Sequence, residues 1–279
     1  MASNLSTIGF VFSDAETFRD VMMKCASQST VQLDCPAGAY GIWRSRSGAE
    51  VWFHLGKSDD GTTEIFGLTP FFEGQSDVLL NITAALSRDG DNAFEGAMQG
   101  WVSPDGVDDG SYPILFDAVD FAAHTALEWP AKRRVRLTAF ARELEAFASD
   151  ADYYAARGSA GDNVPQLAAH AYIPVGLFAA EDANAADAAT DATTVQSAAV
   201  LTGRVLEHRA FTNEVSGQDF VWLLVESLEA TFDIVADPAV VSGAITDGGT
   251  IEAAVVMFGR LLEDDDHAED DSDVDDATA

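Results

Sequence analysis

The sequence predicts an α+β protein in which an N-terminal mixed sheet with few helices precedes a small, all-β, barrel-like C-terminal domain. Three observations favour this fold class. Many short segments are rich in β-branched and aromatic residues, Asp-Gly and Ser-Gly turns separate those segments, and amphipathic helical spacing is confined to a few places. With 279 residues, 47% of them hydrophobic, the chain is long enough to bury a sizeable core.

The N-terminal elements are predicted in the order β-α-β-β-β. TIGFVF at residues 7–12 is typical of a buried strand. Ser13 and Glu16 then form an S-x-x-E capping box that predicts the start of a helix. The apolar face of that helix follows the i, i+3, i+4, i+7 spacing and consists of Phe18, Val21, Met22 and Cys25. Three strand-like segments follow, and the last of them is GAEVWFHLG at residues 48–56.

This order, with RSRSGAEVWFHL as its last hairpin, resembles one module of the vicinal-oxygen-chelate superfamily, which includes glyoxalases and bleomycin-resistance proteins. Metal-dependent members of that superfamily place a ligand, often His, on the first strand and a Glu on the fourth. Glu50 matches the second of these positions, whereas residues 7–12 contain no His, Asp or Glu. The resemblance therefore implies, as one alternative, a degenerate glyoxalase-like enzyme without the metal chemistry.

Glu50, Trp52 and His54 are the strongest local hint of a site. In a strand they share one face, because side chains alternate between the two faces of a sheet. Two interpretations stay open at this point. Trp43 and Trp52 could stack across the hairpin as a structural pair, or Trp43, Glu50, Trp52 and His54 could line a ligand-binding pocket.

A metal site is not predicted on this strand. At about 3.3 Å per residue, Glu50 and His54 lie roughly 13 Å apart along the strand. Zinc ligands lie only about 2 Å from their common ion. Cys25 and Cys35 do not form a CxxC pair, and Cys25 is predicted to be a buried structural thiol. We therefore predict no catalytic residue, no metal and no cofactor.

Charge is the outlying feature of the composition. The chain carries 47 acidic and 15 basic residues, a formal net charge of −32, with 31 Asp against 16 Glu and only three Lys. These features resemble proteins of salt-in halophiles, especially haloarchaea, in which salt screens the repulsion among surface acids. No charged-then-apolar leader and no apolar run near the ~20 residues of a spanning helix is present. We expect a cytoplasmic protein that does not contact the membrane.

Four regions are predicted along the chain. Residues 1–150 form the α+β domain, and residues 151–194 form a connecting segment whose acidic, Ala/Thr-rich loop covers 181–194. Residues 195–262 form the β-barrel-like domain. Residues 263–279 form an acidic tail that contains ten acids and no Lys or Arg, a composition that favours disorder.

The C-terminal region resembles an oligonucleotide/oligosaccharide-binding barrel in the order of its strands. Its three Arg are Arg204, Arg209 and Arg260, too few to offset its acids, so single-stranded nucleic-acid binding is only a second alternative. Just before residue 137 lies the one basic cluster, which consists of Lys132, Arg133, Arg134 and Arg136. We expect this cluster to pair with acids of the same fold. Apolar residues at helical spacing then predict a helix over residues 137–147.

The leading functional hypothesis is a non-catalytic binding or assembly protein that engages a protein partner through its β domain. The chain contains no GxSxG, Walker loop, HExxH or dinucleotide fingerprint. The five His residues are scattered along the chain. Two alternatives remain. One is an enzyme or small-ligand binder that uses the Glu50, Trp52 and His54 face, and the other is the nucleic-acid binder.

Overall fold

A computed structural model describes residues 3–103, 110–158, 167–175 and 196–262. The helices are Ala15–Ser27 (α1) and Asp150–Gly158 (α2). The strands are Val31–Cys35 (β1), Gly38–Arg44 (β2), Ala49–Lys57 (β3), Thr63–Phe72 (β4), Val78–Leu86 (β5), Ala97–Val102 (β6), Tyr112–Ala118 (β7), Ala131–Phe147 (β8), Ala171–Ile173 (β9), Ala198–Thr212 (β10), Asp219–Ser227 (β11), Ala230–Ala236 (β12), Val241–Ser242 (β13) and Thr250–Leu261 (β14). The fold is thus mostly β with a mixed sheet, and the predicted loop 181–194 and tail 263–279 lie outside the described residues.

The N-terminal segment differs from its prediction in two respects. Residues 7–12 form no strand, because the chain there makes a 3₁₀ turn at Ser6–Ile8 that ends on the left-handed Gly9. The N-cap of α1 is Asp14 rather than Ser13, since the Asp14 carboxylate accepts the backbone N–H of Thr17 at 2.7 Å. The β-α-β-β-β order behind the vicinal-oxygen-chelate resemblance therefore lacks its first strand.

Strands β1 to β4 form a four-stranded antiparallel meander in chain order. The hairpin between β2 and β3 aligns Tyr40 with His54 and Ile42 with Trp52. On the other side of β3, the ladder with β4 shifts by one residue at Phe66, which lies between the partners of His54 and Leu55. The shift is a β-bulge, and it places Gly67 directly opposite His54.

The remaining strands form one large sheet whose pairings close two rings. One ring runs β8-β5-β6-β7-β14, and the other runs β8-β12-β11-β10-β14. Both rings use the long antiparallel ladder of β8 with β14, which extends from Val135–Leu261 to Phe147–Thr250. Among the described residues, the C-terminal strands close only through β8, which lies before residue 150. A separate C-terminal barrel, and with it the two-domain division, is therefore not confirmed.

Residues 137–147 belong to strand β8, so the helix predicted there is wrong. Val135, Leu137, Ala139 and Ala141 point into one apolar cluster with the period of two expected for a strand. At Arg142 the ladder bulges, because Ala141 and Glu143 pair with consecutive residues of β14. Beyond the bulge, the even-numbered residues Leu144 and Ala146 face the same cluster that the odd-numbered residues face before it. This switch from odd to even positions produced the helix-like spacing.

Two large apolar clusters form most of the core of the described residues, and a third, small one contains Phe147, Tyr153 and Ala169. The larger one lies between the strands of the two rings and includes Leu80, Phe116 and Phe232. The second joins the β1–β4 meander to the large sheet, since it contains Trp52 of the meander together with Phe140. The centre of β8 is thus buried on both faces. No helix in the described parts of the chain is long and apolar enough to cross a bilayer.

Candidate functional site

Strand β3 holds Glu50, Trp52 and His54 on one face, and all three are at most 2% exposed. Trp43 lies on the opposite face, since it pairs with Val51 and packs on Phe10 with ring centroids 5.6 Å apart. The predicted stacking of Trp43 on Trp52 is therefore wrong. The register of the hairpin decides this point, because it aligns Ile42, not Trp43, with Trp52.

Tyr40 takes the place predicted for Trp43. Its ring meets Trp52 edge-on at 5.6 Å and His54 edge-on at 5.7 Å. Its hydroxyl donates to the backbone carbonyl of Phe94 at 2.7 Å and accepts the backbone N–H of Ala122 at 3.0 Å. Tyr40 thus fixes this face of β3 against the segments that flank β6 and β7.

Both carboxylate oxygens of Glu50 are occupied by neighbouring donors. Oε2 accepts the indole N–H of Trp52 at 2.7 Å, and Oε1 accepts Nε of Arg44. Burial raises the pKa of the Glu50 carboxyl, and the charge of Arg44 partly opposes that rise. Since its oxygens already have these partners, Glu50 acts as an internal anchor of the sheet.

Arg44 connects Glu50 to a cluster of arginines around Glu73. Arg44 lies 3.6 Å from Oε2 of Glu73, Arg260 donates to Oε1 at 2.8 Å, and Arg136 also donates to Oε1. In the basic cluster identified from the sequence, Arg136 thus pairs with an acid of the fold, and Arg134 does the same with Asp77 at 2.8 Å. These ion pairs confirm the expected pairing at those two positions.

His54 belongs to a hydrogen-bonded chain of side chains. Its Nε2 lies 3.1 Å from Oγ1 of Thr69, and its Nδ1 lies 3.3 Å from Nδ2 of Asn92. The Asn92 amide is oriented by Phe94, whose backbone N–H donates to Oδ1 at 2.8 Å. The Nδ1 atom of His54 is also 3.9 Å from Oε1 of Glu95, which is beyond hydrogen-bond distance.

This chain determines the tautomer of His54. Because the Asn92 oxygen already accepts from Phe94, its NH₂ group faces His54 and donates to Nδ1. The imidazole proton is then on Nε2, and this N–H donates a hydrogen bond to Oγ1 of Thr69. Burial lowers the pKa of His54 to about 4, which keeps the ring neutral near pH 7. In this tautomer His54 donates to the Thr69 hydroxyl and does not activate it as a base would.

Thr69 also lines a polar cleft of about 250 Å³ at the seam between the meander and the large sheet. We call it the Thr69 cleft and define it by polar groups from four segments of the chain, namely Asn4, Thr69, Arg88, Glu95 and Asp117. Asp117 accepts from Arg88 at 2.8 Å and from the hydroxyl of Ser197 at 2.6 Å, and burial raises the pKa of its carboxyl.

Metal ligands do not converge in the part of the chain that the structure describes. No group of three His, Cys, Asp or Glu side chains there could hold an ion. Cys25 is fully buried, as the sequence predicts for a structural thiol, and burial raises its pKa to about 11. Neither Cys25 nor Cys35 forms a disulfide.

A second site lies where the turn between β11 and β12 approaches β5. Leu79 and Leu228 are 42% and 47% exposed, and both line a groove of about 460 Å³, here called the Leu79–Leu228 groove. Leu79 pairs across the ladder with Arg134, and Leu228 begins the two-residue turn between Ser227 and Ala230. Sequence reasoning missed this site, because Leu79 lies in a segment typical of a core strand and Leu228 lies in a turn without a Gly, Pro, Asn or Asp to mark it.

The backbone of the groove is unusual at two positions. Among the described non-glycine residues, only Ser103 and Leu228 have positive φ, at 48° and 52°, and both line this groove. Such conformations cost about 1–3 kcal/mol and concentrate at binding sites. Glu229 fixes the turn, since hydrogen bonds from Ser111 and Ser103 reach its carboxylate and lower its pKa.

The polar rim of the groove is acidic. Three carboxylates line it with one guanidinium, and these groups are Asp77, Glu226, Glu229 and Arg134. The Arg134 guanidinium is paired with Asp77 at 2.8 Å. The groove therefore combines two exposed apolar side chains with a surplus of negative charge.

No family model matches this chain, and no curated protein or solved structure matches it at the threshold of significance.

Proposed function

We propose that the protein is a non-catalytic binding protein that engages a protein partner through the Leu79–Leu228 groove. The observation that carries this proposal is the meeting, in one groove, of two exposed leucines and the two left-handed non-glycine residues Ser103 and Leu228. A glycine at position 228 would adopt the same φ without strain. The two-residue turn between β11 and β12 accounts for the positive φ, and the use of leucine there instead of glycine is explained by a side chain that the fold presents for contact.

The chemistry of the groove indicates the kind of segment that it binds. Exposed apolar side chains rimmed by polar groups are typical of protein interaction sites. The acidic rim favours a partner segment that carries Lys or Arg next to its apolar side chains. In concentrated salt the charges would be screened, and burial of Leu79 and Leu228 would then supply most of the affinity.

The other functional hypotheses receive less support. Glu50 is held by Arg44 and Trp52, and His54 donates to Thr69, so neither supplies a base or a nucleophile. Among the C-terminal arginines, Arg209 pairs with Glu207 and Arg260 with Glu73. Their charge is therefore partly neutralised, which argues against a surface for nucleic acid.

Selection from a library of random short peptides tests the proposal directly. The bait is the full chain in concentrated KCl, and the affinity of each selected peptide is then measured by fluorescence anisotropy. We expect selected peptides to combine large apolar residues with Lys or Arg. We expect Leu79→Ser and Leu228→Ser each to weaken binding about tenfold or more, equivalent to about 1.4 kcal/mol.

Leu206→Ser is the matched control. Leu206 is 40% exposed on β10 and does not line the groove, so this variant should bind the peptides as the unmodified chain does. Selection of no peptide, or equal binding by the Leu79→Ser, Leu228→Ser and Leu206→Ser variants, would contradict the proposal.

A further inference from the structure

The Thr69 cleft gathers two hydrogen-bond donors that bond to no other group among the described residues. Oγ1 of Thr69 accepts a hydrogen bond from the Nε2–H group of His54, so the hydroxyl hydrogen of Thr69 is directed away from the ring. Oδ1 of Asn4 accepts from Arg142, which leaves the NH₂ group of Asn4 as a donor. Both residues line the cleft, which therefore offers two neutral donors suited to a carboxylate or another acceptor.

The same cleft presents acceptors with a negative surplus. Oε2 of Glu95 accepts the backbone N–H of Asn92 at 3.2 Å, and Oε1 lies toward His54 without reaching hydrogen-bond distance. Asp117 is the second carboxylate, and Arg88 is the one cation in the lining. The charged groups of the cleft thus sum to one negative charge and favour a ligand that carries a cationic group.

Size restricts the ligand further. A volume of about 250 Å³ lies below the roughly 300 Å³ at which pockets for drug-sized molecules begin. Oγ1 of Thr69 lies 3.1 Å from Nε2 of His54, and Oε1 of Glu95 lies 3.9 Å from Nδ1, so the donor and the carboxylate lie on opposite sides of one imidazole ring. A ligand that contacts both must carry an acceptor and a cation, and the small volume of the cleft allows only a few bonds between them.

We propose that the Thr69 cleft binds a small zwitterion of the amino-acid type. Its carboxylate would accept from the Thr69 hydroxyl and the Asn4 amide, and its ammonium group would donate to Glu95 and Asp117. The cleft lies between the β1–β4 meander and the strands β7 and β14, so bound ligand would join the two sheets and stabilise the fold. The proposal is independent of the Leu79–Leu228 groove, which shares no residue with the cleft.

Calorimetric titration of the full chain with each standard amino acid in buffered KCl tests the proposal. Acetate and methylamine serve as probes that carry only one of the two charged groups. We expect at least one amino acid to bind with saturation and to raise the melting temperature. We expect acetate and methylamine to bind at least tenfold more weakly than that amino acid.

Variants of β4 and its surroundings identify the site. Thr69→Val removes the hydroxyl while keeping the shape, and Glu95→Gln removes the carboxylate charge. Each should weaken binding of the amino acid about tenfold or more. Thr63→Val and Glu64→Gln change the same residue types on the exposed start of β4, outside the cleft, and should leave binding unchanged.

Three results would overturn the proposal. They are the absence of binding by every amino acid, binding of methylamine or acetate as tight as that of the amino acid, and binding that persists in both Thr69→Val and Glu95→Gln. Circular dichroism of each variant establishes that it is folded, so a lost signal can be assigned to the cleft.

Discussion

Trp222 donates its indole N–H to Oδ1 of Asp233 at 2.7 Å, and Asp233 is completely buried. The same carboxylate accepts the backbone N–H groups of Gln75 at 3.0 Å and Ser76 at 2.7 Å. Asp233 of β12 therefore holds the connection between β4 and β5. The arrangement parallels Glu50, which accepts an indole N–H within the meander.

Replacing Asp233 with Ala should destabilise the protein by about 3 kcal/mol or more, because the buried donors of Trp222 and Ser76 lose their acceptor at about 1–3 kcal/mol each and the part-buried N–H of Gln75 loses its acceptor too. Chemical denaturation in concentrated KCl measures the change in the free energy of unfolding. Asp219→Ala is the matched control, since Asp219 is exposed and its side chain bonds, among the described residues, only to the Thr212 hydroxyl, so its effect should stay within about 0.5 kcal/mol. Equal effects of the two variants would show that Asp233 is not an anchor.

Gly74 provides an independent view of the same contact. A Cβ atom at residue 74 would lie 2.1–2.3 Å from the carboxylate atoms of Asp233. Gly74→Ala should therefore displace Asp233 and destabilise the protein. Gly61→Ala has open space for the added carbon but a φ of +83°, so it should show only the cost of that left-handed backbone conformation. A smaller loss of stability for Gly74→Ala than for Gly61→Ala would contradict the close packing at Asp233.

Acid should destabilise the protein through His54. Its pKa is lowered from 6.5 to about 4 by burial, so between these values the unfolded chain binds a proton that the folded chain excludes. The contribution of His54 to the free energy of unfolding is complete above about pH 6.5 and is lost as the pH falls toward 4. The free energy of unfolding should fall by about 3 kcal/mol over that window.

Burial raises the pKa values of three carboxyl groups, so these groups stabilise the folded state as the pH falls; they are Glu50, Asp117 and Asp233. The contribution of His54 is therefore measured as the difference in stability between the unmodified chain and a His54→Gln variant. His54→Gln should show a flatter dependence of stability on pH in this window. Titration of the imidazole by NMR gives the pKa directly. A pKa near 6.5 for His54 would contradict the burial of its ring.

The structure also predicts a stabilising substitution. Leu228→Gly removes the strain of a positive φ and should raise the free energy of unfolding by about 1 kcal/mol, while it removes a side chain that the proposed partner contacts. Leu206→Gly should instead destabilise the protein by a similar amount, because glycine is unfavourable within a strand. Loss of stability in Leu228→Gly would show that its conformation is not strained.

Helix α1 was predicted from the periodicity of its apolar residues, because it buries one face alone. Strands β2 and β3 are buried on both faces, and the sequence still predicted them because turn residues separate them. In β8, Phe140 faces the meander while Ala139 and Ala141 face the rings, and the bulge at Arg142 then changes the parity. Burial on both faces and a bulge together erased the strand pattern, and neither is encoded in local spacing.

The candidate site was predictable only in part for a similar reason. Alternation within one strand was enough to group Glu50, Trp52 and His54. Their partners are distant in sequence: Asn92 and Phe94 lie some forty residues after His54 and fix its tautomer. Trp43 was misplaced because the register of a hairpin, and not the presence of a tryptophan, decides which face a side chain occupies.

Two single-residue deletions test the bulge in β8. Deleting Arg142 should be tolerated, because the residues on both sides of the bulge already pair in continuous register with β14. Deleting Thr138 from the regular part of the ladder should prevent folding, since Leu137 and Val135 would turn away from the core. Cooperative thermal unfolding distinguishes the outcomes. Similar behaviour of the two deletions would mean that Arg142 is not the bulged position.

The strong acidity of the chain leads to a prediction about salt. Removing the ten acids of residues 263–279 from the net charge of −32 still leaves −22 on residues 1–262. Repulsion among these charges should therefore oppose folding wherever ions do not screen it. The Debye length falls from about 10 Å at 0.1 M salt to about 3 Å at 1 M, so most of the gain in stability should occur at the lower concentrations.

Thermal unfolding of the chain truncated after Leu262, in KCl from low to multimolar concentration, measures this effect. We expect the melting temperature to rise steeply at first, and to rise further when sulfate replaces chloride because sulfate strengthens apolar burial. The full-length chain is the control and should follow nearly the same curve if the body of the protein carries the effect. A melting temperature independent of KCl would mean that ion pairs such as Arg157 with Glu145 and Glu252 already neutralise the repulsion. In that case the resemblance to halophilic proteins would have to be withdrawn.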